Sequence, residues 1–219
     1  MSFYPVNLDI KNRGCLVVGG GAVASRKAKT LAECGGIVTV VSPKFSEALL
    51  ALEKTSTVTL ICRPYETSDL DGKFLVIVAT DNEELNRRVN ADAESRNMLC
   101  NIADVPDICN FILPSIIRRG DLVIAISTSG KSPAFAKKLR KDLEKNFGDE
   151  YARFLTLMGA ARKKLLSTAH APEAHKPLFE RLINYNLLEL IKNNRKEEIN
   201  RLLCDVLGEG YDYDELVKQ

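Results

Sequence analysis

The sequence lacks the features that would assign it to several common functional classes. Its 31 basic and 29 acidic residues leave a net charge of +2, which gives no electrostatic reason to expect nucleic acid or a membrane surface as a partner. No apolar run is long enough to span a bilayer, and the polar N-terminus does not resemble a signal peptide. We therefore expect a cytoplasmic protein that binds neither nucleic acid nor membrane.

Metal-binding patterns are also missing. The six cysteines are scattered, they form no C-x-x-C pair, and no histidine stands at ligand spacing from them. We interpret them as structural thiols, and we expect those at strand ends (Cys15, Cys62 and Cys100) to be small buried side chains. His170 and His175 fall in residues 167–176, predicted to be a polar loop, and nothing nearby adds ligands to this weak signal. The sequence therefore predicts no resident metal ion.

The composition is that of an ordinary soluble globular protein. The chain has 219 residues, of which 45% are hydrophobic and 27% are charged. This length is sufficient for a sizeable core and suggests either one domain with an appended part or two small domains.

The most informative stretch is an apolar strand that leads into a glycine turn and then a helix, at residues 15–34. Gly19, Gly21 and Ala24 match the pattern G-x-G-x-x-A. In that pattern the first glycine permits a tight turn, the second lets the backbone approach a pyrophosphate, and the third small residue lets the helix pack on the strand. The N–H groups and dipole at the helix N-terminus favour an anion. The alternative is a turn that needs only a positive φ.

The surrounding pattern favours nucleotide binding over a bare turn. Gly35 and Gly36 end the first helix and a second apolar strand follows, which completes a βαβ unit. Further helices are predicted at about 42–54 and 83–96. The predicted strands of this α/β part are 15–18, 37–41, 57–62, 74–79 and 98–102. Strands that alternate with helices predict a parallel sheet with right-handed crossovers.

Ligands of such sheets bind at the carboxyl ends of the strands. We therefore expect the glycine turn, Ser42, the pair Thr80 and Asp81, and Asp104 to converge on one crevice. An Asp or Glu at the end of the second strand normally binds the ribose of NAD. This sequence has Ser42 and Pro43 there, followed by Lys44, so the residues alone leave NAD and NADP open.

The second half of the chain begins with a predicted antiparallel hairpin, residues 111–117 and 121–127, which turns at Gly120. Ser132 is a favourable N-cap for a helix that runs from Pro133 to about residue 146. The Ser/Thr/Gly cluster before it either caps that helix or holds an anionic ligand, and the residues favour neither. The remainder is helical, with apolar stripes at Tyr151, Phe154, Leu155, Met158, Ala161 and Leu165, at Leu182, Ile183, Leu187, Leu190 and Ile191, and at Ile199, Leu202, Leu203 and Val206.

Five segments of the chain resemble the siroheme synthase family, whose members carry precorrin-2 dehydrogenase activity and in some cases sirohydrochlorin ferrochelatase activity. They are residues 15–28, 79–81, 100–104, 111–115 and 126–133, in the family's order. The resemblance implies a Rossmann-type NAD-binding domain at 1–113, a dimerisation hairpin and helix at 114–147, and a helical C-terminal domain at 148–219. It also implies a homodimer.

The resemblance further implies that NAD⁺ takes a hydride from precorrin-2 and gives sirohydrochlorin. Fe²⁺ is then inserted by the same protein or by a separate one. The implied catalytic residue is Asp104, a carboxylate ionised at neutral pH that accepts a proton; its alternative role is that of a turn residue. We expect cofactor contacts at Gly19, Gly21, Ala22, Val23, Ser42, Pro43, Thr80 and Asp81, and substrate contacts at Ser127, Thr128, Ser129 and Lys131.

Precorrin-2 carries eight carboxylates, so its site needs cations or N–H groups. Candidates are Arg118, Arg119, Lys131, Lys137, Lys138 and Arg140, each of which is alternatively part of a solvated basic surface.

Some relatives have a phosphorylatable serine where this chain has Thr128. Multifunctional relatives carry a methyltransferase domain after this region, and we expect no methylation by this chain. The competing hypotheses are a sensor that binds NAD or a tetrapyrrole without turnover, and a structural partner in a pathway complex.

Overall fold

The protein is described by a computed structural model that covers residues 3–55, 57–103, 105, 108–167 and 172–218. Its contacts divide the chain into two units, the first ending at Leu113 and the second beginning at Pro114. Asp104 and His170 lie outside the described residues.

The first unit is built on a five-stranded parallel sheet. Its strands are β1 (Gly14–Val18), β2 (Ile37–Val41), β3 (Val58–Ile61), β4 (Lys73–Val78) and β5 (Leu99–Ile102). Its helices are α1 (Ala22–Glu33), α2 (Glu47–Thr55) and α3 (Glu83–Glu94), with a 3₁₀ turn at Thr67–Leu70. The strand order is β3-β2-β1-β4-β5, and every neighbouring pair is parallel. This confirms the predicted α/β fold with a Rossmann-type sheet.

The central strand β1 is buried on both faces, as its continuous apolar sequence predicts. Cys15 and Val17 pack in a cluster with Ala24 and Ala28 of α1. Their neighbours Leu16 and Val18 pack in a second cluster that includes Val89 and Ala93 of α3. Because successive side chains of a strand point to opposite faces, this short apolar run holds helices on both sides of the sheet. Burying a valine or leucine side chain, such as Val17 or Leu16, contributes about 1.5–3 kcal/mol to folding.

The second unit begins with an antiparallel hairpin and continues as helices. The hairpin strands are β6 (Ser115–Arg119) and β7 (Leu122–Ile126). The helices are α4 (Pro133–Glu144), α5 (Glu150–Ser167), α6 (Pro172–Asn184), α7 (Leu187–Lys192), α8 (Lys196–Leu207) and α9 (Tyr213–Val217). The predicted hairpin, its glycine turn and the helix that begins at Pro133 are confirmed. The predicted N-cap is also present, because the Phe135 N–H donates to the Ser132 hydroxyl at 3.3 Å.

The core of the second unit follows most of the predicted apolar stripes. Buried residues from these stripes include Ala161 of α5, Leu187 and Ile191 of α7, and Ile199 and Leu203 of α8. One stripe position is wrong: Ile183 is 55% exposed. The apolar positions predicted on α5 also did not include Leu157, which is fully buried.

Three predicted segment boundaries are wrong. The first hairpin strand, predicted at 111–117, is β6 at Ser115–Arg119. The helix after β2 begins at Glu47 and not at Ser42, because residues 42–46 pack against the glycine turn, where the Ser46 N–H donates to the Gly20 carbonyl at 2.8 Å. The predicted polar loop 167–176 is helical from Pro172 onward. Proline is favourable at the first position of a helix because its φ is already helical. His175 is therefore a buried helical residue, 4% exposed, and not part of a solvated loop.

The cysteines are all free thiols. Cys15 and Cys100 are buried as predicted, whereas Cys62 is exposed and its thiol donates to the carbonyl of Pro43 at 3.4 Å. The prediction that Cys62 is a buried side chain is therefore wrong. The described residues contain no group of three or more His, Cys, Asp or Glu side chains that would hold a metal ion.

Candidate functional site

The first glycine after β1 makes the turn possible. Gly19 has a φ of +124°, a region that is strained for residues with a side chain. A Cβ at this position would lie 2.2 Å from the carbonyl oxygen of Ala79. Glycine is therefore required here, because the loop after β4, the strand that pairs with β1, comes very close to this turn.

The middle glycine is required for a second close approach, which the sequence pattern did not predict. A Cβ on Gly20 would lie 1.8 Å from the carbonyl oxygen of Lys44. The loop after β2 thus packs directly on the glycine turn and bonds to it through Ser46. The pattern G-x-G-x-x-A leaves this position open, so no local signal identifies it.

Gly21 differs from both of these glycines. Its backbone is extended, with φ −86° and ψ −170°, which any residue adopts. A Cβ at this position would meet no protein atom within 4 Å. Neither the backbone nor the packing of this unit therefore requires a glycine here. What the missing side chain provides is open space in front of the first turn of α1.

The N-terminus of α1 has the properties of an anion site. The first N–H groups of a helix have no acceptor within the helix. No described side chain caps α1, and its first turn holds no acidic residue. By contrast, Asn82 caps α3 and Ser132 caps α4 with side-chain oxygens. The free N–H groups begin at Ala22, which is exposed, and Val23, which is half-buried. With the open space at Gly21, this is where a pyrophosphate fits.

An open cleft of about 360 Å³ lies at the carboxyl ends of β1, β2 and β4. The predicted residues that line it are Gly19, Ser42, Pro43 and Thr80. Gly21, Ala22 and Val23 follow in the chain at the start of α1. Asp81 is exposed and is not among the lining residues. Asp104 lies outside the described residues, although the N–H of Ala103 before it donates to the Val78 carbonyl at 2.8 Å.

Thr80 is fixed by a buried residue that sequence reasoning missed. The Thr80 hydroxyl donates to Oδ1 of Asn86 at 2.7 Å, and Nδ2 of Asn86 donates to the Thr80 carbonyl at 3.1 Å. Asn86 is 6% exposed and lies on α3. A buried amide whose groups are all bonded rigidifies its surroundings. The available signal was a polar residue between the apolar positions Leu85 and Val89, which is too common to identify such a contact.

Tyr65 supplies an aromatic wall of the cleft. Its ring is buried, and its hydroxyl donates to a carboxylate oxygen of Asp92 at 3.0 Å. Burial, and then the bond to Asp92, raise the pKa of Tyr65 well above its ordinary value, so this hydroxyl remains a donor. The guanidinium of Arg88 lies 5.6 Å from the centre of the Tyr65 ring and also lines the cleft.

The segment that carries Tyr65 is braced by a two-point ion pair. The guanidinium of Arg63 donates to both carboxylate oxygens of Asp69, at 2.9 and 2.6 Å. The Glu66 N–H donates to the same carboxylate at 2.8 Å. Burial by itself raises the pKa of Asp69, but the hydrogen bonds from Arg63 and Glu66 outweigh it, and the net pKa is below the ordinary value.

We expect Asp69→Asn to lower the free energy of unfolding by about 1.5–3 kcal/mol at neutral pH, the range for hydrogen bonds to charged groups. Because the folded pKa of Asp69 is depressed, the contribution is present above the unfolded pKa of about 3.9. It is lost as the pH falls through the folded pKa. Urea unfolding at neutral and acidic pH measures both effects. Asp71→Asn is the control, since the Asp71 side chain is 68% exposed in its pair with Arg96 and exposed pairs contribute little. Equal losses in the two variants would contradict the prediction.

The Ser/Thr/Gly cluster of the second unit is bonded within itself. The Ser129 N–H donates to the Ser127 hydroxyl, and the Ser132 N–H donates to the Thr128 hydroxyl, each at 3.1 Å. These are turn contacts within the cluster, and the hydroxyl that caps α4 is that of Ser132. Lys131 is exposed. The substrate contacts predicted for Ser127, Thr128, Ser129 and Lys131 stay predictions.

Two of the predicted substrate cations take part in internal ion pairs. Arg140 contacts the carboxylate of Glu144 at 2.5 Å, and Arg119 contacts it at 3.7 Å. Arg119 also donates to the carbonyl of Phe147 at 2.8 Å. Two of the basic side chains on the hairpin and α4 are therefore engaged in contacts within the second unit. Lys137 and Lys138 are exposed.

Comparisons with known proteins agree with this geometry. Residues 6–115 match a family model described as putative NAD(P)-binding, and residues 119–146 match a model of the central part of sirohaem biosynthesis proteins. No helix among the described residues is both long and apolar enough to cross a lipid bilayer.

Individual relatives match nearly the whole chain. The siroheme synthase of Thioalkalivibrio sulfidiphilus is 37% identical over 97% of this chain, which corresponds to 43% of the relative. The siroheme synthase of Escherichia coli O1:K1 is 34% identical over 97% of this chain and 47% of its own length. The chain thus spans less than half the length of these curated relatives. The structure of SirC, a precorrin-2 dehydrogenase, matches 91% of this chain and 100% of its own, with a TM-score of 0.76 and 28% identity.

Proposed function

Because the chain belongs to the siroheme synthase family, and contains the NAD(P)-binding and central parts of those proteins, we propose that it oxidises precorrin-2 to sirohydrochlorin with NAD⁺. The observation that carries this proposal is the comparison with SirC. A protein described as a precorrin-2 dehydrogenase is matched over the whole of its length, whereas the siroheme synthases are matched over less than half of theirs.

The residues of the first unit fit the cofactor. The open space at Gly21 and the uncapped N–H groups of Ala22 and Val23 receive the pyrophosphate. Ser42 and Pro43 after β2, and Thr80 and Asp81 after β4, would hold the rest of the dinucleotide at the carboxyl ends of the strands. Bound NAD⁺ supplies the acceptor for the hydride.

NAD⁺ is proposed over NADP⁺. A 2′-phosphate needs a free cation near the ribose. Of the arginines near the cleft, Arg63 is held by both oxygens of Asp69, and Arg88 lies 5.6 Å from the centre of the Tyr65 ring, so both guanidinium groups have partners within the protein. Lys44 is exposed, so it is the residue to replace if the protein turns over NADP⁺. If Lys44→Ala then loses NADP⁺ turnover and keeps NAD⁺ turnover, Lys44 binds the 2′-phosphate and the choice of NAD⁺ is overturned.

The protein's own part in the reaction is to remove a proton from precorrin-2 while the hydride leaves. We assign this step to the carboxylate of Asp104, which accepts the proton as a general base. The contacts to the substrate carboxylates are assigned to Ser127, Thr128, Ser129 and Lys131. Exposed lysines of α4, Lys137 and Lys138, are further cations for an anionic ligand.

Insertion of iron is the second proposed activity, and the observation that favours it is that the relatives are siroheme synthases. Here Fe²⁺ is a substrate and not a resident ion. Two pyrrole protons must leave as the ion enters, and Asp104 is the group proposed to accept protons in this step too.

A homodimer that uses the hairpin and α4 is part of the same proposal. Apolar side chains on these elements are unusually exposed: Ile116 is 39%, Val123 is 39% and Phe135 is 56% exposed. Exposed apolar clusters commonly mark protein contacts. Sedimentation equilibrium that finds only monomer at micromolar concentration would contradict this part of the proposal.

The test is an anaerobic absorption spectrum of the purified protein with precorrin-2 and NAD⁺, followed by addition of Fe²⁺. The simultaneous appearance of NADH and sirohydrochlorin, above an enzyme-free control, would establish the dehydrogenase. Iron insertion faster than the control would establish the second step. If neither NAD⁺ nor NADP⁺ supports turnover while ligands still bind, the protein is a sensor and the proposal is wrong.

A further inference from the structure

The segment after β5 returns along the edge of the sheet as residues 109–111. The Cys100 N–H donates to Oδ1 of Asn110 at 2.8 Å, and Nδ2 of Asn110 donates to the Met98 carbonyl at 2.8 Å. The Asn110 N–H in turn donates to the Cys100 carbonyl at 3.3 Å. An amide side chain thus supplies the bonds that a sixth strand would make with β5. The chain between Ile102 and Cys109 is therefore a loop with both ends fixed to one strand.

The thiol of Cys109 closes this loop at its base. Its sulfur accepts the N–H of Ile102 at 3.0 Å, and its single S–H is shared between the carbonyls of Val105 at 3.1 Å and Ile102 at 3.4 Å. Cys109 is 5% exposed. Burial raises the pKa of this thiol above its ordinary value, so it stays protonated at neutral pH and retains its donor.

Asn101 also bonds to the returning segment. Its Nδ2 donates to the carbonyl of Phe111 at 3.0 Å, and the residue is 7% exposed. Breaking a bond between buried polar groups leaves one of them unsatisfied, at a cost of about 1–3 kcal/mol. The two ends of the loop are therefore held together by bonds that are costly to break.

We propose that Cys109 and Asn101 are positioning residues for the carboxylate of Asp104. The inference rests on the proposed dehydrogenase function. Ile102 and Val105, which bond to the Cys109 sulfur, flank Asp104 in the sequence on both sides. Neither Cys109 nor Asn101 is proposed to touch the substrate. They restrict the loop on which the base is carried, and misplacing a catalytic group by about 1 Å costs on the order of 10²-fold in rate.

The test compares Cys109→Ala with Cys15→Ala. Cys15 is a matched control because it is also a buried thiol of the first unit, 0% exposed, and its sulfur donates to a single carbonyl, that of Arg13, at the start of β1. We expect Cys109→Ala to lower kcat by about tenfold or more and to leave NAD⁺ affinity unchanged, with Cys15→Ala close to the wild type. Asn101→Ala behaves like Cys109→Ala. Cys109→Ser, which keeps a donor and an acceptor, restores part of the rate.

A double substitution separates positioning from general damage. In an Asp104→Ala background, Cys109→Ala has no further effect on kcat if it acts through Asp104. The same fold-loss in both backgrounds, or equal rates for Cys109→Ala and Cys15→Ala, would overturn the proposal.

A measurement that needs no turnover keeps this result distinct from failure of the proposed function. Amide hydrogen exchange at Ala103 and Val105, whose N–H groups bond to Val78 and Ile102, reports the order of the loop directly. Faster exchange in Cys109→Ala, and not in Cys15→Ala, supports the proposed restraint even if the wild type does not oxidise precorrin-2. Unchanged exchange overturns it.

Discussion

We expect the replacement of Asp104 by alanine to lower the rate of sirohydrochlorin formation by about 10²- to 10⁴-fold, the usual contribution of a positioned general base. NAD⁺ affinity is expected to be unchanged, because the proposed pyrophosphate site lies at the glycine turn and α1. The physical reason is that hydride loss from precorrin-2 leaves a proton that must reach a base. Without the carboxylate only water is available, and its conjugate acid is far stronger than a carboxylic acid.

The measurement is anaerobic NADH formation under saturating NAD⁺, together with calorimetric titration of the cofactor. Asp104→Asn is the matched variant of similar size, which removes the base and keeps polar atoms in place. Asp71→Ala is the control for loss of a carboxylate in the same unit, since Asp71 precedes β4 and so lies at the opposite end of the sheet from the cleft. Full activity of Asp104→Ala would remove this residue from the mechanism.

The second large effect is expected at the glycine turn. Gly21→Asp weakens NAD⁺ binding by about 100-fold or more, because a carboxylate then occupies the open space at the N-terminus of α1. Two like charges about 4 Å apart near a protein surface repel by about 4 kcal/mol. The fold is unaffected, since the backbone at Gly21 is extended and an added Cβ meets no protein atom within 4 Å.

Calorimetry and thermal unfolding of the same samples separate affinity from stability. Gly21→Ala is the neutral comparison, with a smaller loss of affinity because it adds bulk and no charge. Gly19→Ala is the structural comparison, and it is expected to unfold at lower temperature because its Cβ would collide with the Ala79 carbonyl. An unchanged NAD⁺ affinity in Gly21→Asp would mean that the pyrophosphate does not bind here.

The two sets of variants divide the proposed function into binding and chemistry. A Gly21→Asp enzyme is expected to recover at high NAD⁺ concentration, because it retains Asp104. An Asp104→Ala enzyme is not, because no concentration of cofactor replaces the base. A common loss that follows the melting temperature in both would instead indicate that the substitutions damage the fold.

Sequence patterns predicted local structure well where that structure depends on contacts between residues close together in the chain. The continuous apolar run at 15–18 indicates a buried strand, and the glycine spacing after it indicates a turn. Both signals come from residues that are neighbours in the sequence. The helix after β2 was placed too early because residues 42–46 pack on Gly20, a contact between loops that no local pattern records. The polar composition of residues 167–176 predicts a loop, whereas the chain is helical from Pro172, where proline is favourable as the first residue of a helix.

The candidate site divides in the same way. Gly19 and Gly21 were identified from spacing, although the structure distinguishes them: packing requires the first, and only the second leaves space for a ligand. Gly20, Asn86, and the pair Arg63 and Asp69 were not identified. Each of them acts through a partner on a different element, and an isolated polar residue in a sequence does not reveal that partner.

The sequence by itself determined the alternation of strands and helices, the hairpin, the glycine turn before α1 and the resemblance to a family of tetrapyrrole enzymes. These depend on the identity and spacing of neighbouring residues, which a linear pattern records. Only the tertiary structure decided which glycine faces open space, which hydroxyls bond within the Ser/Thr/Gly cluster, and which groups Cys109 and Asn101 contact. Hydrogen bonds and close contacts between distant segments form only when the sheet brings strand ends together, so they have no counterpart in the linear pattern.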